Sequence, residues 1–224
     1  GGLAERAAAE LRTRGVESVG IRADVTIEDE VVGAVARAKA AIGSPQLSAS
    51  VVGVATAFKP LLDMDLAGWE RDQRINLLPM FLIGTSVARA VVADGLPGSL
   101  AFVTSVSGLQ AAQHHASYGV AKRGMMSLAQ TMANEWGAHG IRVNTVAPGA
   151  IQTQRVQPSE TMIDLLRRKV PAGRFAQVQE MANCLAFLLS DLSSYVNGHT
   201  LVADGGWMTV PAIAPSDNPK LPNA

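Results

Sequence analysis

Apolar runs short enough to be strands alternate along the whole chain with longer segments of helical composition, and this alternation confines the fold more tightly than any other feature. Residues 16–23, 47–54, 100–105, 141–146 and 199–202 read as strands, and residues 3–14, 27–42, 117–137, 161–169 and 178–189 as helices, with one long helix running from Asp65 towards Val92. Leu100-Ala-Phe-Val-Thr-Ser105 is apolar without interruption until its two terminal hydroxyls, the pattern of a strand covered on both faces. A parallel partner can be reached only by a crossover, so strand, helix and strand in succession predict an α/β fold: a doubly wound, mostly parallel sheet in three layers, α/β/α.

Local signals set expected boundaries. Gly15 stops the first helix, Thr26 caps the second, and that second helix carries Glu28, Asp29 and Glu30 in its first turn before Gly43-Ser-Pro45 ends it. Pro79 has no N–H and clashes with the carbonyl at i−4, so the long helix should kink and free the Ile75 carbonyl beside Asn76.

Composition narrows the function classes. A chain of 224 residues, 48% hydrophobic, suits one domain over residues 1–224. Lysine plus arginine and aspartate plus glutamate balance at 19 each with no basic block, which argues against a nucleic-acid partner. Cys184 is the only cysteine, so neither an internal disulfide nor a cysteine cluster for zinc is available, and a small core residue is expected. The most apolar stretch, residues 77–92, is interrupted by Pro79 and Arg89 and is too short to span a bilayer, and no signal peptide opens the chain. A cytoplasmic protein with no membrane partner is the expectation.

The chemistry concentrates in three residues. Tyr118 and Lys122 stand at i and i+4 on a predicted helix, one turn apart on one face, so the ammonium can lie near the phenol and favour its ionised form. Ser105 ends the preceding predicted strand, and the end of a strand facing a helix is where open α/β sheets place their sites. With Ile141-Arg-Val-Asn-Thr-Val-Ala-Pro-Gly149 these residues resemble the short-chain dehydrogenase/reductase superfamily. Asp24-Val-Thr26, Asn76, Gly173-Arg-Phe175, Glu180-Met-Ala182 and Asn197-Gly-His-Thr-Leu-Val-Ala-Asp-Gly-Gly206 match it in family order, so the likeness covers most of the chain.

The resemblance implies a Rossmann-type domain that interconverts a secondary alcohol and a ketone with NAD or NADP. It makes Tyr118 the acid or base at the substrate oxygen, and gives Lys122 two tasks: holding the nicotinamide ribose and depressing the tyrosine pKa. Ser105 would donate a hydrogen bond to the carbonyl oxygen, and Asn76 would complete the catalytic set through a water relay to the lysine. Pro148, Gly149, Ile151 and Thr153 match the loop along the nicotinamide, Asp24 and Val25 the pair at the adenine. At Ala49-Ser-Val-Val-Gly53 only Gly53 keeps the family's Asn-Asn-Ala-Gly pattern. The resemblance also implies a small-molecule alcohol or ketone as partner and a homo-oligomer, tetramer or dimer.

In the family a strand, a glycine-rich turn and a second strand come first; here Gly1-Gly2 leads directly into the helix that follows them, so an N-terminal βαβ start is expected to be missing from this sequence. His114 and His115 read as loop residues near the substrate mouth rather than as metal ligands, because adjacent histidines point to different sides and no carboxylate cluster joins them. Residues 154–175 read as a substrate lid and 211–224 as a loose or oligomer-contacting tail. The rival reading is a non-catalytic scaffold or oligomer subunit that keeps the site residues but holds no dinucleotide.

Overall fold

The structure, a computed structural model, describes residues 2–154 and 156–209. Four parallel strands lie side by side in chain order: β1 (Leu47–Ser50), β2 (Gly98–Val103), β3 (Ile141–Pro148) and β4 (Thr200–Ala203). Helices make every return. Two of them, α1 (Leu3–Thr13) and α2 (Glu28–Ile42), precede β1; α3 (Leu66–Asn76) and α4 (Leu78–Ala93) lead from β1 to β2, α5 (Ala116–Trp136) leads to β3, and α6 (Glu160–Lys169) and α7 (Val178–Leu189) lead to β4.

Successive side chains on a strand point to opposite faces. Leu100 and Phe102 of β2 and Ile141 and Val143 of β3 therefore pack with Met80, Val91, Met125 and Met132 of α4 and α5. On the other face Ala101 and Val146 meet Met181, Leu185 and Leu188 of α7. Helices on both faces of a parallel sheet give the expected three-layer architecture, and they explain why the 100–105 run shows no polar alternation. A smaller cluster of Leu166, Val170 and Phe175, with Trp207 against it, seats the apolar side of α6.

Arg142 joins β3 to the end of α7. Its guanidinium donates to the carbonyls of Leu188 (3.0 Å) and Ser190 (3.1 Å) and to the Ser193 hydroxyl (2.9 Å). The last carbonyls of a helix have no partner within it, and a cation suits that negative end.

Several boundaries depart from the local signals. Residues 16–23 form no ladder, because a strand needs a neighbour for its N–H and C=O groups. The segment packs on α1 instead: the Ser18 hydroxyl donates to the Ala8 carbonyl (2.8 Å), and a side-chain carbon at Gly20 would stand 2.5 Å from the Glu5 backbone. Thr26 does not cap α2; its N–H and hydroxyl both donate to Asp24 Oδ1 (2.9 and 2.8 Å), and Ile27 holds the N-cap position. β1 stops at Ser50 rather than running to Val54, whose backbone groups are taken by a side chain described below.

The long helix from Asp65 is two helices. Leu77 interrupts it, Pro79 lies in the first turn of α4, and the Met80 N–H turns to the Leu77 carbonyl (3.1 Å), away from Asn76. By length and composition Leu66–Ala93 could cross a bilayer, yet 50% of its most apolar window is buried inside the fold. The tail at 211–224 lies outside the described residues.

Candidate active site

The carboxyl ends of β2 and β3 carry the site, where a doubly wound sheet opens towards ligands. Ser105 follows β2 in an extended conformation and starts a short 3-10 turn, Val106–Gly108, its hydroxyl accepting the Ser107 N–H (3.1 Å). The chain then enters α5, which turns Tyr118 and Lys122 to one face. Lys122 points inward: it is 2% exposed, with its stem among apolar neighbours and its ammonium at the sheet end. Nζ donates to the carbonyls of Val103 (3.1 Å) and Val52 (3.4 Å) and lies 5.5 Å from the centre of the Tyr118 ring.

Gly53 is where these elements converge. Its φ of 144° disfavours any side chain, and a Cβ there would lie 2.6 Å from Lys122 Nζ and 2.7 Å from Asn76 Oδ1. Asn76 is fully buried and acts like a strand neighbour: Oδ1 accepts the Val54 N–H (2.9 Å), and Nδ2 donates to the carbonyls of Val54 (2.9 Å) and Asp72 (2.9 Å). Loop, lysine and asparagine are thus brought together, with Asn76 acting through its side chain.

The electrostatics differ from the expectation of an acidified phenol. Burial holds the Lys122 ammonium down at about 8, so it stays protonated at neutral pH. Tyr118 is raised rather than lowered: burial pushes it up, the Ser105 hydroxyl works the other way, and the Asp72 carboxylate pushes it up further. The reason is geometric, since the ammonium is turned to two carbonyls while the phenol is covered and has a carboxylate behind it.

Asp72 is the residue that sequence reasoning missed. It is 0% exposed; Oδ2 accepts the Ser117 hydroxyl (2.5 Å), and Oδ1 accepts the Thr56 hydroxyl and the Thr56 N–H (3.2 Å). Its spacing of one turn before Asn76 was the only signal available, and that spacing marks a shared helix face and nothing more.

The rim is formed by two loops. The Lys59 N–H donates to the carbonyl of His114 (2.8 Å), a residue at φ 64°. His115 Nδ1 lies 2.8 Å from the Gln113 carbonyl, which can only accept, so Nδ1 carries the proton and Nε2 accepts from the Ser107 hydroxyl (3.1 Å). The His115 ring stands 5.4 Å from that of Phe58 and 5.9 Å from that of Tyr118, measured between centres. Among the described residues no three His, Cys, Asp or Glu side chains gather as metal ligands.

Pro148 closes β3 beside the end of β2, where the Thr104 N–H donates to the Val146 carbonyl (2.7 Å). Gly149 donates to the Ala203 carbonyl (3.2 Å), Ile151 bridges to Ala176, and Thr153 Oγ1 accepts the Val156 N–H (3.0 Å), which turns that hydroxyl into its own loop. Asp24 and Val25 line a separate shallow groove with Arg22 and Glu30. The glycine cradle at Gly53 with a buried ammonium against it fits the nicotinamide ribose end of a dinucleotide.

A family model described as enoyl-(acyl carrier protein) reductase matches residues 2–208. Cis-4-hydroxycyclohexanecarboxylate dehydrogenase of Sinomonas cyclohexanicum is 36% identical over 209 residues, 92% of this chain and 83% of that protein. The crystal structure of a short-chain type dehydrogenase/reductase from Mycobacterium marinum superposes with a TM-score of 0.85 at 33% identity, over 92% of this chain and 82% of that one. The chain belongs to the short-chain dehydrogenase/reductase superfamily. A gluconate 5-dehydrogenase from Burkholderia cenocepacia J2315, solved in complex with NADP and tartrate, superposes with a TM-score of 0.86 at 28% identity, over 92% of this chain and 82% of that one. As a short-chain dehydrogenase/reductase, the chain is an NAD(P)-dependent oxidoreductase of Rossmann fold.

Proposed function

We propose that the enzyme interconverts a secondary alcohol and its ketone, with Tyr118 exchanging the proton at the substrate oxygen. The observation that carries this reading is the convergence at Gly53: a buried Lys122 ammonium, Asn76 and the loop after β1 meet beside Tyr118 at the open end of a parallel sheet. NAD or NADP supplies or accepts the hydride at the substrate carbon. In the oxidative direction Tyr118 takes the hydroxyl proton, and in the reductive direction it returns one. Ser105, set beside the phenol, donates to the same oxygen and stabilises negative charge there. Lys122 holds the ribose hydroxyls, and Asn76 keeps the Gly53 loop open for them; Pro148, Gly149, Ile151 and Thr153 border the nicotinamide, and Asp24 and Val25 the adenine.

Relatives named for hydroxy-acid substrates support small polar alcohols as the substrate class. Within a single domain, residues 154–175 serve as the lid. The apolar groove of Leu77, Leu78, Phe81, Gly124 and Leu128 supports self-association of a cytoplasmic homo-oligomer.

Tyr118→Phe tests the reading. Turnover should fall by about 10²–10⁴-fold while NADH or NADPH still raises the melting temperature. A Tyr118→Phe protein that retains turnover refutes it, and a wild-type chain with no thermal response to either dinucleotide favours the scaffold.

A further inference from the structure

Behind the tyrosine, α3 grips α5 at one residue from two directions. Asp72 Oδ2 accepts the Ser117 hydroxyl (2.5 Å), and the neighbouring Gln73 side chain donates to the Ser117 carbonyl (2.8 Å). The other Asp72 oxygen holds Thr56 by its N–H (3.2 Å) and hydroxyl, which anchors the loop that passes Gly53. Asp72 and Ser117 are both 0% exposed. All three groups on this carboxylate donate to it, so it serves as an acceptor on both oxygens, the hydrogen-bond role of the charged form. A carboxylate without exposure to water is costly to keep unless it serves structure or chemistry.

We propose that Asp72 is a positioning residue of the active site: it fixes the first turn of α5 through Ser117 and keeps a buried negative charge behind Tyr118. The inference rests on the acid–base role of Tyr118 for its catalytic meaning, while its electrostatic part rests on the hydrogen bond that ties the Asp72 carboxylate to Ser117, the residue next to Tyr118. The titratable and charged groups around the phenol are few. Lys122 faces it from its own helix, His115 from the N-cap and Asp72 from α3; Arg71 is engaged with the Thr56 hydroxyl (3.2 Å), and Lys59 on the rim is paired with Asp65 (2.6 Å). Against Lys122, Asp72 biases the phenol towards its protonated form, which favours proton donation to a ketone oxygen over abstraction from an alcohol.

The chain has two tyrosines, and the other, Tyr195, is fully exposed. A Tyr195→Phe background therefore isolates Tyr118 in a spectrophotometric tyrosinate titration that needs neither substrate nor cofactor. Asp72→Asn keeps the shape, its Oδ1 still able to accept from Thr56 and its amide able to donate to a rotated Ser117 hydroxyl. In Asp72→Asn the tyrosinate should form at lower pH than in the parent, and the ascending limb of alcohol oxidation by the full enzyme should move in the same direction. A folded Asp72→Asn protein whose tyrosinate titration does not move overturns the proposal. Should that variant fail to fold by circular dichroism, Ser117→Ala strips one hydrogen bond and leaves the charge less compensated, so tyrosinate should form at higher pH; an unmoved titration there also overturns it. A Tyr118→Phe enzyme with full turnover would sink the proposed function instead, and the tyrosinate titration would still decide the electrostatic role of Asp72.

Discussion

Lys122 should make the folded protein less stable at neutral pH than at alkaline pH, and Lys122→Met should remove that dependence. Unfolded lysine titrates near 10.5, and in the folded state burial brings Lys122 to about 8. Below pH 8 both states carry the proton and only the folded one holds it away from water, so the penalty is complete. As pH rises from 8 to 10.5 the folded state has already released the proton that the unfolded state still binds, and stability climbs; above 10.5 the penalty is gone. The gap corresponds to roughly 3 kcal/mol, or about 6–12 °C in melting temperature for a chain of this length. Methionine keeps the stem volume but leaves the carbonyls of Val103 and Val52 without this donor, a cost that does not change with pH. Thermal melts of wild type and Lys122→Met from neutral pH to pH 10.5 separate the two effects. The melting temperature of Lys122→Met minus that of wild type should be largest at neutral pH and shrink steadily above pH 8. A difference that stays constant across the range refutes the claim that a buried charge is held here at the expense of stability.

Gly53→Ala forces a side chain into a backbone conformation at φ 144° and against Lys122 Nζ, so it should cost about 1–3 kcal/mol in urea unfolding and abolish turnover. Arg142→Met leaves the end of α7 without its donors and should destabilise by about 2–4 kcal/mol, read as a lower melting temperature with the affinity for NAD(P)H unchanged. Phe102→Ala empties a 0%-exposed site between β2 and the α4/α5 layer and should cost about 3–5 kcal/mol in the same unfolding assay.

Tyr118 and Lys122 could be picked out in the sequence because they lie on a helix whose period is visible over a few residues, and Ser105 because it follows a strand whose apolarity is. Gly53 could be read only through its likeness to a family pattern; its physical reason, an ammonium and an amide converging on one Cα, involves residues far away in the chain. Asp72 was hidden for the same cause, since its partners Thr56 and Ser117 are 16 and 45 positions distant. Residues 16–23 show the converse error: the local pattern promised a strand, but pairing is a property of two segments, and the Ser18 hydroxyl and Gly20 found α1 instead. Thr26 was read as a cap from its type and place, and the nearer acceptor Asp24 claimed both its donors.

The contact between Lys59 and His114 bears on attempts to retarget this enzyme. Phe58 and His115 flank the mouth from loops that share a main-chain hydrogen bond, and His114 sustains it in a left-handed conformation that few side chains tolerate. A loop grafted from a relative on one side alone would have to reproduce the backbone placement that makes this hydrogen bond. Exchanging both segments as a single cassette preserves the entrance while changing what passes through it.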